Sequence, residues 1–303
     1  MIKYGCIEKM NSRLKIDQLR EQFKKRLAKP EIIIAPGVHD MVSLRLADSF
    51  GFEALYMTGY GTVASSLGLP DAGLASYTQM LEKVQMMAAM AKTPLIADGD
   101  TGYGGLLNIQ HTIRGYENAG VVAIQLEDQE FPKKCGHTPS RRVIPMNDMV
   151  KKIQVASDSR SDANFLIIAR TDARTSLGID EALKRGEAYA KAGADILFIE
   201  SPESREEMQM IGKQFDLPVV ANMVDTGKTP VLSRDELQAI GYQLAIFPVT
   251  AMLASVKAMQ QVYAGFKAQG SSVHMANQLY EFNELSKLMG FQEVWDFEKK
   301  YAE

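Results

Sequence analysis

Cysteine is scarce: Cys6 and Cys135 are the two in 303 residues. That excludes a disulfide scaffold and points to a reducing cytoplasm. Their separation also lacks the paired spacing of a zinc site. No apolar run approaches the ~18 residues of a membrane span. Residues 1–20 are polar throughout, without a secretory apolar core. Positive charge is not in excess, with 34 lysines and arginines against 37 acids and a formal net charge of -3. Neither a nucleic acid nor a membrane is therefore an expected partner. Linkers, fixed-period repeats, low-complexity tracts and Walker or dinucleotide fingerprints are lacking as well. What is present is a chain with 46% hydrophobic and 23% charged residues, which excludes disorder and supports a sizeable core. The 17 methionines are scattered and read as core filler.

Eight short apolar runs recur with helical stretches between them, at 31–36, 54–59, 94–100, 122–128, 165–172, 196–201, 218–223 and 244–250. None alternates cleanly, as expected of parallel strands buried on both faces. Gly51, Gly120, Gly193 and Gly241 each stand between a helical stretch and the next run, where a left-handed cap is needed. Pro94 and Pro218 stop helices just before strands. Eight βα units in series predict a (β/α)8 TIM barrel, with a doubly wound sheet as the alternative. An added N-terminal helix is expected over 12–28. Past residue 267 comes a Gly-Ser-Ser break, then helical sequence over 273–289 and 292–302. The chain reads as one domain, 1–303, with a C-terminal helical extension.

The polar residues gather at one end of these strands. Strand two ends in Tyr56-Met57-Thr58-Gly59 and strand three in Asp98-Gly99-Asp100-Thr101-Gly102. Strand four ends in Glu127-Asp128, strand five in Arg170-Thr171-Asp172 and strand six in Glu200-Ser201. Strand seven ends in Asn222, and strand eight in Pro248-Val249-Thr250. Barrel active sites are built at the C-terminal face of the strands. Local caps or ion pairs account for one or two such groups, but not for acids, an arginine and an asparagine on most strands.

Asp98 and Asp100 are two residues apart, so on a regular strand both face the same way. With Glu127 they make a hard oxygen set without histidine, suited to Mg2+, or Mn2+, rather than zinc. A simpler reading has one aspartate capping the Thr101-Gly102 turn. Cys135 sits in Lys133-Lys134-Cys135-Gly136-His137, where cationic neighbours can lower a thiol pKa from ~8.5. The alternative there is a solvated basic loop with an idle thiol.

The run Lys133-Lys134-Cys135-Gly136-His137 resembles the signature of carbon–carbon lyases in the isocitrate lyase / phosphoenolpyruvate mutase superfamily. The resemblance extends over roughly 17–290, through Thr58-Gly59-Tyr60, Leu69-Pro70-Asp71, Asp98-Gly99-Asp100-Thr101-Gly102, Glu127-Asp128-Gln129, Ala169-Arg170-Thr171-Asp172 and Asn222. The length matches the short members, methylisocitrate and 2,3-dimethylmalate lyases. It implies Mg2+ held by Asp100, with Asp98 and Glu127 nearby, partly through water. It implies Thr58, Gly59, Tyr60 and Asp71 around the 2-oxo acid part, with Arg170 on its carboxylate. Gly136, His137, Glu200, Asn222 and Thr250 would line the pocket for the other product. Tyr56 would assist the hydroxyl proton, and Cys135, with Lys133 and His137 beside it, would protonate the carbanion. The resemblance also implies a homotetramer, a dimer of dimers that exchange the helices of about 251–303.

The chemistry agrees with these residue types. Cleaving the C2–C3 bond of a 2-hydroxy diacid releases a 2-oxo acid and an enolate of the second carboxylate. A cation and fixed donors aimed at that developing charge are the largest expected contribution. In the strand-seven loop, Val224 stands where methylisocitrate lyases tend to carry a hydroxyl residue, and Leu253 stands where they often carry arginine. Both departures remove a partner for a third carboxylate, and an unpaired buried charge is costly. The reading is therefore a 2-alkylmalate or 2,3-dimethylmalate type lyase that forms pyruvate or another 2-oxo acid. Methylisocitrate lyase, oxaloacetate hydrolase, phosphorylmutase and a non-catalytic oxo-acid-binding barrel remain the alternatives.

Overall fold

The computed structural model describes residues 2–136 and 141–302, with side chains from residue 15 onward. Two compact units divide at residue 250. In the first, eight parallel strands close in sequence order into a barrel: β1 Ile33–Val38, β2 Leu55–Met57, β3 Leu95–Asp98, β4 Ala123–Glu127, β5 Leu166–Thr171, β6 Ile196–Ile199, β7 Val219–Asn222 and β8 Leu244–Phe247. Its helices are α1 Ile2–Leu27, α2 Met41–Asp48, α3 Gly59–Leu67, α4 Tyr77–Met90, α5 Leu106–Ala119, α6 Met146–Ser159, α7 Ala173–Leu177, α8 Ile179–Lys191, α9 Arg205–Gln214 and α10 Arg234–Ala239. The second unit comprises nearly all of α11 (Thr250–Gln269), a 3-10 turn Val273–Gln278, α12 (Phe282–Leu288) and α13 (Phe291–Tyr301).

All eight expected strands form. The first runs two residues later than expected, because Pro36 continues the ladder against Phe247 instead of ending it. Gly37 then lets the strand pass the Pro248 backbone, which a Cβ would approach to 2.2 Å. The helix expected over 12–28 begins earlier, at Ile2. The helix expected over 273–289 is broken, since Glu281 caps α12 by accepting from the Glu284 N–H at 3.0 Å. The four helix-ending glycines all adopt positive φ, from 72° to 106°.

Two hydrophobic layers account for the barrel. Between strands and helices lies a layer built from Leu44, Met57, Val84, Ile113, Ile153, Tyr189, Met208 and their neighbours. Inside the barrel lies another, with Ile33, Ile96, Leu166, Ile168, Phe198, Val220 and Ile246. Phe23 and Leu27 of α1 belong to that inner layer, so α1 closes the end where the strands begin. Arg20 secures it there by donating to the Val121 carbonyl at 3.0 Å and the Glu117 carbonyl at 2.5 Å. The opposite mouth is left for polar groups.

Candidate active site

The inner layer sets a two-residue frame along each strand. Continued toward the C-terminal mouth, the frame that holds Ile96 reaches Asp98, and the one that holds Ala123 reaches Gln125 and Glu127. That of Leu166 and Ile168 reaches Arg170, that of Ile196 and Phe198 reaches Glu200, and that of Val220 reaches Asn222. Apolar floor and charged mouth are thus two halves of one register.

Four carboxyl groups crowd one side of the mouth. Asp71, Asp98, Asp100 and Glu127 surround the ammonium of Lys133, which pairs with Asp71 and, at 2.5 Å, with Asp100. Burial alone would lower the Lys133 pKa, but Asp100, Glu127, Asp71 and Asp98 outweigh it and raise it well above the ordinary value. Asp98, Asp71 and Glu127 titrate late. Burial, then the Asp100 charge, pushes Asp98 to about 6. Burial likewise raises Asp71, and raises Glu127 well above the usual carboxylate range. Asp98 Oδ1 accepts from the Asp100 N–H at 3.0 Å and from Gln125 at 3.2 Å, and Tyr56 donates to Gln125 at 2.8 Å. The Tyr56 proton is thus committed to Gln125, and burial followed by the Asp98 charge raises its pKa well above 10.0. Gly59 opens α3 against this group, since a Cβ there would lie 2.7 Å from Asp98 Oδ2. Thr58 caps α3 and is buried, whereas Tyr60 is exposed.

The other side is paired. Arg170 lies over the Phe198 ring and donates to Asp172 from Nε at 2.8 Å and Nη2 at 2.9 Å. It also pairs with Glu200 at 3.2 Å and Glu127 at 3.4 Å. Arg141 reaches the same Asp172 carboxylate. Burial would raise the Asp172 pKa, but Arg170 and Arg141 together lower it. Asn222 donates to Glu200 Oε2 at 3.1 Å, and the Ser201 hydroxyl oxygen lies 2.9 Å from Glu200 Oε1.

The loop after β4 folds across both sides. The Gln129 amide holds the Lys134 peptide at both ends, donating to its carbonyl at 2.8 Å and accepting from its N–H at 3.0 Å. Gln129 also donates to Glu127 at 3.0 Å. Ser201 donates to the Gly136 carbonyl at 2.9 Å. Gly136 packs against the Arg170–Glu200 pair so closely that a Cβ would come within 2.5 Å of Arg170 Nη2. Cys135, half-buried and in no disulfide, is held between these two anchors. His137 lies outside the described residues. Thr250 is exposed, and its hydroxyl donates to Asp225 in the β7 loop at 2.5 Å.

Asp71, Asp98, Asp100, Glu127, Lys133, Gly136, Arg170, Glu200 and Asn222 are thus gathered as the sequence suggests. Gln125 and Arg141 are absent from that reading, and Gln129, Asp172 and Ser201 stand in its motifs without an assigned part. Counting back two from Glu127 would have found Gln125. The tie of Arg141 to Asp172 spans 31 positions and leaves no local signal.

A divalent cation can be tested against this donor set. Among the described residues, no three His, Cys, Asp or Glu side chains form a ready metal cage. Asp98, Asp100 and Glu127 therefore do not converge as three direct ligands. What the acidic side offers is an excess of carboxyl groups over cations. Asp100 Oδ1 is buried and lacks a hydrogen bond of proper geometry, meeting the Lys133 ammonium alone among the described residues. Hard oxygen donors, an Asp100 oxygen engaged by the Lys133 ammonium without a hydrogen bond of proper geometry, and late-titrating neighbours fit a magnesium-type ion held directly by Asp100 and through water by the others.

Residues 23–267 match the family model described as phosphoenolpyruvate phosphomutase. The 2,3-dimethylmalate lyase of Eubacterium barkeri is 44% identical, over 93% of this chain and 97% of its own. The 2-methylisocitrate lyase of Aeropyrum pernix is 40% identical, over 94% of this chain and 89% of its own. A phosphonopyruvate hydrolase solved with oxalate and Mg2+ superposes with a TM-score of 0.85 at 29% identity, covering 94% of this chain and 99% of its own.

Proposed function

Because the chain belongs to the phosphoenolpyruvate phosphomutase family, we propose that it is a Mg2+-dependent carbon–carbon lyase acting on a 2-hydroxy diacid of the 2-alkylmalate or 2,3-dimethylmalate type. The observation that carries the reading is the Cys135 loop pinned between the acidic and guanidinium sides of the barrel mouth, by Gln129 at one end and Ser201 at the other. A half-buried thiol next in the chain to Gly136, which packs on the Arg170–Glu200 pair, suits proton delivery to carbon.

The Asp98 carboxylate, which titrates at about 6, takes the proton of the substrate 2-hydroxyl, the C2–C3 bond breaks, C2 becomes the carbonyl of the 2-oxo acid, and C3 leaves carrying the electron pair. Arg170 holds the 2-oxo acid carboxylate, and the first turn of α3 at Thr58, Gly59 and Tyr60 supplies donors beside it. Tyr56 acts through Gln125, fixing the Asp98 carboxylate. Asp100, with Asp98 and Glu127 nearby, would hold Mg2+, which would supply positive charge for the developing enolate. Lys133 keeps Asp71 and Asp100 in place. Cys135 gives its proton to C3, and the product is a simple carboxylic acid. Gly136, Glu200 and Asn222 line that product's side, and the resemblance adds His137 and Thr250 to the set.

Support for the 2-alkylmalate class is the 44% identity to a 2,3-dimethylmalate lyase and Val224, which cannot hydrogen-bond a third carboxylate. The test offers 2-hydroxy diacids with Mg2+ and follows pyruvate with lactate dehydrogenase. Pyruvate from 2,3-dimethylmalate in preference to 2-methylisocitrate is expected. Faster release from 2-methylisocitrate, with succinate, would overturn the class. The cytoplasm suits this reaction and the two cysteines. We further propose a homotetramer that exchanges the helices of 251–303, since Phe282, Phe291, Trp295 and Phe297 are exposed on the chain. A stable, active monomer in light scattering would contradict it.

A further inference from the structure

We propose that Asp128, which faces away from the barrel interior, is a positioning residue that holds Arg170 in register for the substrate carboxylate. The inference rests on the reading of Arg170 given above. Glu127 points into the mouth, so its neighbour Asp128 points outward, toward α8. There it is fully buried and accepts four hydrogen bonds. Oδ1 takes the Asp172 N–H at 2.8 Å. Oδ2 takes the hydroxyls of Thr171 and Tyr189, each at 2.7 Å, and the Arg185 guanidinium at 2.9 Å.

These donors divide by role. Tyr189 and Arg185 come from α8 and brace the carboxylate from outside, and Arg185 also grips the Ile144 carbonyl at 2.9 Å. Thr171 and Asp172 are the two residues directly after Arg170. The ladder between β4 and β5 ends at the Glu127–Arg170 pair. Beyond it, the Asp128 side chain continues the tie between the strands. Asp172 then receives Arg170 at 2.8 and 2.9 Å, and Arg141 as well. Position is therefore passed from α8 to Asp128, to the Asp172 backbone, to the Asp172 carboxylate and so to the guanidinium. A substrate-holding group displaced by ~1 Å can lose on the order of 100-fold in rate.

A buried carboxylate could instead serve stability alone, and a control separates the two roles. Asp195 accepts from Arg160 and from the Ile167 N–H at 2.8 Å, at the far end of the same strand. Wild type, Asp128→Asn, Asp195→Asn and Arg170→Gln are compared for oxalate binding with Mg2+ by calorimetry, corrected for folded fraction. Oxalate makes the readout independent of which diacid is cleaved. Expected are loss of binding by about 100-fold in Arg170→Gln, about 10-fold in Asp128→Asn, and no change in Asp195→Asn. On substrate, Asp128→Asn should raise KM more than it lowers kcat. Wild-type oxalate affinity in Asp128→Asn, with binding lost in Arg170→Gln, overturns the inference while leaving the function intact. Wild-type affinity in Arg170→Gln overturns the reading of Arg170 and this inference with it. If Asp128→Asn fails to fold, Thr171→Val removes one of the two strand ties. It should weaken oxalate several-fold, and unchanged affinity there also overturns the proposal.

Discussion

The two sides of the barrel mouth carry the same kinds of side chain and reach opposite electrostatic states. On the β2–β4 side, four carboxyl groups share Lys133, and Asp98, Asp71 and Glu127 are all harder to ionise than usual. On the β5–β7 side, Asp172 faces two guanidinium groups and is easier to ionise than usual. Burial is similar in both, so cation count decides the difference. On the proposed reading, the paired side is the one that holds the substrate carboxylate. The acidic side is arranged for positive charge that the chain itself does not supply, which is the condition for binding a divalent ion.

The largest expected break in this contrast is Asp100→Ala, which removes the carboxylate that would hold the ion directly. Turnover should fall by on the order of 10³-fold with circular dichroism unchanged. Activity surviving both this change and exhaustive chelation would refute the metal role. Next comes Cys135→Ser, on the loop that joins the two sides. Mg2+ and oxalate should still bind, while kcat falls at least ~100-fold. Equal turnover numbers would remove the thiol from the reaction.

Lys133→Met tests the acidic side without touching the reacting atoms directly. Leaving Asp71 and Asp100 buried without their cation should destabilise the chain by about 3 kcal/mol in denaturant titrations with EDTA. Mg2+ should restore part of the loss, whereas identical losses with and without Mg2+ would count against an ion beside these groups.

A smaller effect follows from pH. Asp98 titrates at about 6 in the folded chain against an ordinary value of 3.8. Between those values the folded state binds more protons than the unfolded state, so stability falls as pH rises. The contribution is of order 1–3 kcal/mol in metal-free protein. Mg2+ should flatten the slope, because it favours the ionised carboxyl. Stability rising across this window in EDTA would contradict the crowding of the acidic side.

Much of this contrast is legible in the sequence because it follows the strand period. Asp98, Glu127, Arg170, Glu200 and Asn222 each lie in the frame of an apolar residue deeper in the same strand, so their shared end and direction follow from spacing. The reasons for the two electrostatic states do not. Lys133 reads as part of a basic loop, yet it is buried against Asp71, 62 positions away. Arg141 reaches Asp172 across a loop, and Tyr56 is directed at Gln125 instead of open space. Chain reversals set those contacts, and they leave no periodic trace. The first boundary is missed for a similar reason: the apolar run ends at 36, while the strand continues to Val38 because Gly37 can pass the Pro248 backbone.

The central claim is that the acidic side holds one divalent ion through Asp100 while the paired side holds the carboxylate. Its most direct measurement is a Mn2+ titration of metal-stripped protein, followed by the paramagnetic signal of the free ion. One site per chain is predicted in wild type and in Arg170→Gln, with Mg2+ competing for it, and that site is absent in Asp100→Ala. An unchanged site in Asp100→Ala, or one lost in Arg170→Gln and kept in Asp100→Ala, would contradict the account.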